Sequence, residues 1–457
     1  MIRWSEESHS TGRSRWLPRH WGEPGIFQLV ARKLLPHCGC ATRPIDSGDV
    51  FLIRQDRSRR VVRSAAALLA SGSFLLAGCR HRGFPEYPAN YHEFAYITGG
   101  GSNTVTVLDL VYLRRERVLQ VGRNPTGLAV NPVRNEVYAV NTGSNSVSVI
   151  DATTNNIVAT IGVHQRPYFI AVAPDGKRAY VPNSGSNTVS VIDMDARRQI
   201  GAAATGEGPG VAKVSPDNRT LVVANQHAGS VSVYSINETG APLTLRDAFA
   251  GCAGATDIAI LPDSSKAFVA CSGGHQVMTI WLAAAPDSWR GKQDATLQHD
   301  QMLTLLDVGK TPTHIALERD GNEVFTTNFD SDSISEITTW TNEVRGTYVI
   351  GSKPSRGIIS RDDSTLCVTN FGADSVSLYS IDDGRMVGGV RTGSRPDALA
   401  FSVDEHLLLV TDAGSSDVAV IRMQSKDGPS LVTMLPAGDH PNDLVVKAFH
   451  TRPTLHH

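Results

Sequence analysis

The chain has 457 residues, of which 41% are hydrophobic and 19% charged, with a formal net charge of −2. That composition excludes a disordered polymer. The near-neutral balance, with no basic stripe interleaved with aromatics, argues against a nucleic-acid partner.

Residues 1–50 carry Trp4, Trp16, Trp21 and many Arg, with no hydrophobic periodicity. They read either as an extension upstream of the true start or as a disordered leader. Cys38 and Cys40 lack a second ligand pair, so no zinc site is assigned there. In residues 51–78, Arg57, Arg59, Arg60 and Arg63 precede the apolar run Ser64–Gly78, which is too short to span a bilayer and has the order of an export signal. Its end, Leu76-Ala77-Gly78-Cys79, resembles a bacterial lipobox, which implies acylation of Cys79 and anchoring to the cell envelope. Arg80 implies, by the same resemblance, the outer rather than the inner membrane. Ser58 to Arg63 resembles a twin-arginine signal, and general and twin-arginine export both stay open. From Cys79 onward the chain keeps 31 basic and 39 acidic residues.

After a linker over 79–92, one short pattern runs to residue 449, followed by a tail over 450–457. Its clearest copies are GSNTVTVLD from Gly101, GSNSVSVID from Gly143 and GSNTVSVID from Gly185, and Asn103, Asn145 and Asn187 are 42 residues apart. A period of that length, built of short strands separated by Gly and Asn turns, predicts a radial repeat. Each unit reads as a four-stranded meander, the form of a propeller blade. Eight first strands are centred on Leu128, Ile170, Val211, Ile258, Ile315, Ile358, Leu399 and Leu444. The last has no strands after it, and the unit from Phe94 to Val121 lacks a first strand. Joining the two predicts an all-β, closed β-propeller of eight blades with no free sheet edge. Seven blades plus an insert over Trp281–Gln301 is the alternative.

The stretches VYAVNTGSNSVSVID from Val137 and AYVPNSGSNTVSVID from Ala179 resemble the YVTN-type β-propeller repeat family. The resemblance implies the fold. It leaves function open, because such folds overlap with lactonases and with haem-binding propellers.

Loops entering the first strands should ring the channel mouth. The second residue after each Pro or its equivalent is Gly127, Phe169, Val211, Asp257, His314, Arg356, Ala398 or Asp443, with Tyr168, Thr256, Thr313, Ser355, Asp397 and Asn442 beside them. Candidate binding residues are Tyr168, Phe169, Asp257, His314, Arg356, Asp397 and Asp443. His314 suits a general base or an axial ligand, Arg356 an anionic group, and Asp257 the orientation of His314. Alternatively, Asp257 and Asp443 pair with Arg356 and His314 to close a solvated channel. Asn141, Asn183, Asn225, Asn328 and Asn370, ending the second strands, are expected to bond turn backbone.

Cys252 and Cys271 flank one hairpin and could pair, or remain free thiols. No Cys-x-x-Cys-His run occurs, which excludes covalent c-type haem. No cofactor is expected, with a metal or non-covalent haem left open, and no hydrolase elbow, zinc-helix or phosphate-loop motif is present. The expected function is a monomeric, lipid-anchored module that binds a protein, glycan or small ligand without catalysis. A lactonase-like hydrolase and a redox propeller resembling the haem-binding domain of dissimilatory nitrite reductases are the alternatives. Cys79→Ala should abolish palmitate labelling and membrane fractionation while leaving the propeller folded; unchanged labelling would refute the anchor.

Overall fold

The computed structural model describes residues 85–283, 298–425 and 428–451. Cys79 and the export segment lie outside them. The described chain forms eight four-stranded antiparallel sheets. Blade 1 combines β1 (Tyr91–Gly99), β2 (Thr104–Asp109) and β3 (Arg114–Gln120) with the last strand, β32 (Pro441–His450). Blade 2 is β4 (Pro125–Val130), β5 (Glu136–Asn141), β6 (Ser146–Asp151) and β7 (Asn156–Gly162). Blade 3 is β8 (Ala171–Val172), β9 (Arg178–Asn183), β10 (Thr188–Asp193) and β11 (Arg198–Ala204). Blade 4 is β12 (Pro209–Val214), β13 (Thr220–Asn225), β14 (Ser230–Ile236) and β15 (Leu243–Ala250). Blade 5 is β16 (Ala255–Ile260), β17 (Lys266–Cys271), β18 (Gln276–Trp281) and β19 (Gln301–Asp307). Blade 6 is β20 (Pro312–Leu317), β21 (Glu323–Asn328), β22 (Ser333–Thr338) and β23 (Glu343–Val349). Blade 7 is β24 (Pro354–Ile359), β25 (Thr365–Asn370), β26 (Ser375–Ser380) and β27 (Arg385–Arg391). Blade 8 is β28 (Pro396–Phe401), β29 (Leu407–Asp412), β30 (Asp417–Arg422) and β31 (Ser430–Pro436).

The eight-bladed reading therefore holds over the seven-bladed one. Closure runs through β1 and β32, whose antiparallel register pairs Tyr91 with His450 and Ile97 with Leu444. The hydrophobic clusters lie between blades, not within them. Ala95, Ile97 and Leu108 of blade 1, for example, pack on Leu407, Leu409 and Val418 of blade 8. The opposite side of blade 1 packs Tyr96 and Val107 on Leu128 and Val137 of blade 2. Each blade thus buries both faces against its neighbours, which is why β5, β13 and β17 are buried at every residue. The fourth strands are outermost, and β3, with five of its first five residues exposed, shows the consequence.

A buried polar ladder accompanies these cores. Asn141 Nδ2 donates to Ser146 Oγ and Ser148 Oγ at 3.2 and 2.9 Å. Asn225, Asn328 and Asn370 do the same with Ser230/Ser232, Ser333/Ser335 and Ser375/Ser377, and Asn183 reaches Thr188 and Ser190. The expectation that these Asn mainly bond turn backbone is corrected: among the described residues only Asn183 reaches backbone, at Val181 O and Thr188 O, and those are strand carbonyls. The reason is register. The Asn ends the second strand directly opposite the first Ser of the third, so its amide faces the hydroxyls, which form the polar side of the Ser-Val alternation.

Turn chemistry falls instead to a second set of residues. Asn103, Asn145 and Asn187 adopt φ of 59°, 54° and 54°. Their Oδ1 atoms accept the N–H of Asn124, Arg166 and Gly208 at 2.8, 2.9 and 3.0 Å. His275, Asp332 and Asp374 serve Thr311, Lys353 and Arg395 in the same way. The recipients are left-handed too, and all but Arg166, five residues ahead of β8, immediately precede a first strand. These six pins set where six of the eight first strands enter the channel.

Asn328→Ala should lower stability by about 1 kcal/mol, because it removes an amide that donates to two buried serine hydroxyls, which keep only their bonds to Ser331, Thr347 and Gly309. A thermal or denaturant melt measures it, and an unchanged midpoint would show that the ladder is not stabilising.

Candidate functional site

First strands run along the channel, so their side chains converge at its mouth. A cavity of about 400 Å³ opens there, lined by residues that include Tyr168, Phe169, Lys213, Asp257, His314 and Arg356. Val211 and Asp443 line it too, whereas Gly127, Ala398 and Asp397 do not. A larger cavity, of about 570 Å³, lies between blades 7 and 8 and is lined by Asp362, Leu378, Phe401 and Met423 among others, with no Lys, Arg or His among the described residues. The channel cavity is the one in which cationic, anionic and aromatic side chains meet.

Asp257 and Asp443 share one structural task. Asp257 Oδ2 accepts the N–H of Ile315, in the next blade, at 2.9 Å, and Asp443 Oδ2 accepts that of Leu128, also in the next blade, at 2.8 Å. Each carboxylate fastens neighbouring first strands together. Burial pushes the Asp443 carboxyl upward, while Arg356 and the amides of Leu128 and Leu444 pull it back.

His314 Nε2 lies 3.5 Å from Asp257 Oδ2, and Gly357 donates its N–H to His314 Nδ1 at 3.4 Å. This arrangement places the ring proton on Nε2, facing Asp257. Burial lowers the pKa of His314 against the opposing pull of Asp257, so the ring is neutral near pH 7. With both nitrogens engaged, the ring is poorly placed as an axial metal ligand. Among the described residues, no group of three or more His, Cys, Asp or Glu could hold a metal ion.

Arg356 is held by Asp443 at 3.3 Å and by Asp397 at 3.8 Å. Burial works against its charge, but Asp397, Asp443 and Asp257 more than offset that and raise its pKa. About a third of the side chain, 35%, still faces the channel. The arrangement pairs Asp257 with His314 and Asp443 with Arg356, and brings Asp397 in from blade 8.

Sequence reasoning missed Lys213 and Gln226, which also line the cavity. The Lys213 ammonium lies 5.3 Å from the Phe169 ring centroid, and among the described residues no carboxylate lies within ion-pair distance. Its signal was period 2: it stands two residues beyond Val211 on β12, so it faces the same channel. Tyr168 is half exposed beside Phe169.

Cys252 and Cys271 form a disulfide that ties the end of blade 4 to β17 of blade 5. It sits at the register where other blades use the Asn ladder, just below the loop that delivers Asp257. Cys367 is free and buried.

The family model described as "Lactonase, 7-bladed beta-propeller" matches residues 152–257, a minor part of the chain. Blade number separates this chain from that description. No curated protein matches. Among solved structures, the dihydro-heme d1 dehydrogenase NirN in complex with DHE is similar at 16% identity and a TM-score of 0.63, covering 79% of this chain and 76% of that one. The periplasmic gluconolactonase PpgL of Pseudomonas aeruginosa is similar at 19% identity and a TM-score of 0.55, covering 78% and 98%. At such identities the likeness is one of fold.

Proposed function

We propose that this protein is a lactonase-like propeller that binds a small polyhydroxylated lactone at the channel mouth and opens its ring with water. The observation that carries the reading is the placement of an unpaired ammonium, Lys213, in one cavity with a carboxylate that keeps an oxygen free. Asp257 uses Oδ2 for Ile315 and His314, and its Oδ1 has no hydrogen-bond donor among the described residues. The lactonase model matched over 152–257 and the likeness to a gluconolactonase support the same class.

In this reading Phe169 and Tyr168 pack against the sugar ring, and Lys213 and Arg356 face the lactone carbonyl, where negative charge develops. Water adds through oxygen to the acyl carbon, and its proton passes to Asp257 Oδ1. The acyl–oxygen ring bond then breaks, the proton returns to the departing ring oxygen, and a hydroxy acid is released. His314 is a positioning residue, because its Nε2–H faces Asp257 and its neutral ring adds no competing charge. Binding without turnover is the second reading, favoured by the compensation of Arg356 by Asp397 and Asp443.

The protein is further proposed to act outside the cytoplasm, anchored through Cys79. The Cys252–Cys271 disulfide suits an oxidising compartment.

Acid release from glucono-1,5-lactone, corrected for spontaneous hydrolysis, tests the proposal. Lys213→Met should lower kcat/KM about tenfold, mainly through kcat, by removing a charge-assisted contact to the developing oxyanion. Asp257→Asn, which keeps an acceptor for Ile315, should lower kcat by about two orders of magnitude. No acceleration over the spontaneous rate, with calorimetric binding retained, would leave the binding-only reading; neither turnover nor binding would overturn both.

A further inference from the structure

Five blades end their second strand in Asn and satisfy it with serine or threonine hydroxyls; blade 8 does not. There β29 ends in Asp412, directly paired with Asp417 at the start of β30. Asp417 stands where Asn141 meets Ser146, and Ala419 stands where it meets Ser148, so both hydroxyl partners are gone. Asp412 is fully buried, and neither carboxyl oxygen has a partner of good hydrogen-bonding geometry. A buried carboxylate beside a second carboxylate is strongly disfavoured unless one of them keeps a proton.

Asp412 also lies against the loop that feeds the site. A Cβ on Gly393 would meet Asp412 Cβ at 2.8 Å and Asp417 Oδ1 at 2.8 Å, and Ala413 and Gly414 donate their N–H groups to Arg395 O and Ser394 O. Four residues beyond Gly393, Asp397 faces Arg356. Ser415 bridges the two sides, accepting from Ser394 N–H and donating to Asp417 Oδ1 at 2.9 Å each.

We propose that Asp412 and Asp417 form a proton-operated latch: sharing one proton they hold the 393–397 loop against blade 8, and losing it they loosen that loop and the Asp397–Arg356 contact. The groups facing Asp412 are Asp417 from β30, and Thr392 and Gly393 from the end of β27 and its loop. On that loop Arg391 and Arg395 are exposed, and Arg395 meets the hairpin through its carbonyl. Burial, against the pull of the Gly393 amide and the Thr392 hydroxyl and with Asp417 as a like charge, raises the Asp412 carboxyl from 3.8 to about 7. The sign follows from that direction. The ionised form is disfavoured in the folded state, so the latch contributes fully below the unfolded value of 3.8 and is lost as pH rises through about 7. Its functional consequence rests on the channel-mouth reading; the latch itself does not.

The test is amide hydrogen exchange on the full chain at pH 5.5 and pH 8.5, corrected for intrinsic rates, for wild type and Asp412→Asn. In wild type, amides of 393–397 and 413–417 should lose about tenfold or more of their protection at the higher pH. In Asp412→Asn, which restores the residue of five other blades, protection should not depend on pH. A melt at each pH gives a second readout, with the variant more stable than wild type at pH 8.5 and the advantage shrinking at pH 5.5. Equal pH dependence in both proteins would overturn the latch, as would pH-independent protection in wild type. Reversal of the high-pH loosening by added calcium, or its appearance only with chelator, would also overturn it, by making the pair a metal site. None of these readouts involves turnover, so failure of the latch and failure of the lactonase reading are told apart.

Discussion

Ring closure by β32 on β1 is the constraint on which the remaining structure depends. Each core cluster is built from two neighbouring blades, so no blade has a complete core by itself. An open ring would expose the facing sides of two blades as well as two strand edges, the combination that invites aggregation. Closure also supplies part of the site. Asp443, on the closing strand, fastens to Leu128 on one side and holds Arg356 on the other.

The channel mouth inherits its geometry from this closed frame. Left-handed residues before six of the first strands, pinned by Asn, Asp or His side chains, fix how far those strands reach inward. The rest is variation at one register. Asp257, His314 and Arg356 occupy equivalent positions on consecutive blades, and their different chemistry makes a repetitive scaffold asymmetric at one place. The Cys252–Cys271 disulfide and the Asp412–Asp417 pair are two more substitutions at a shared register, both beneath loops that enter the channel.

Much of this was legible in the sequence because repetition encodes it. The spacing of Asn103, Asn145 and Asn187 gave the blade length, and the unmatched strands at either end gave closure. The mouth residues followed from counting past each proline. What escaped was pairing across strands. The partners of Asn328 are fixed by strand register, which a linear pattern does not display. Lys213 lies deeper than the positions counted just past each proline, on an inward face that continues at every second residue. Asp412 follows the same logic: the loss of its serine partners shows only when strand pairing sets it opposite Asp417.

If closure underlies both fold and site, β1 and β32 must unfold only with the whole ring. Native-state hydrogen exchange under increasing denaturant tests this directly. Amides of Phe94–Thr98 and Leu444–Ala448 should exchange in the same slow, global unfolding event as those of β5 and β17. Exchange of β32 through a separate, lower-energy opening, with the other blades still protected, would contradict the account.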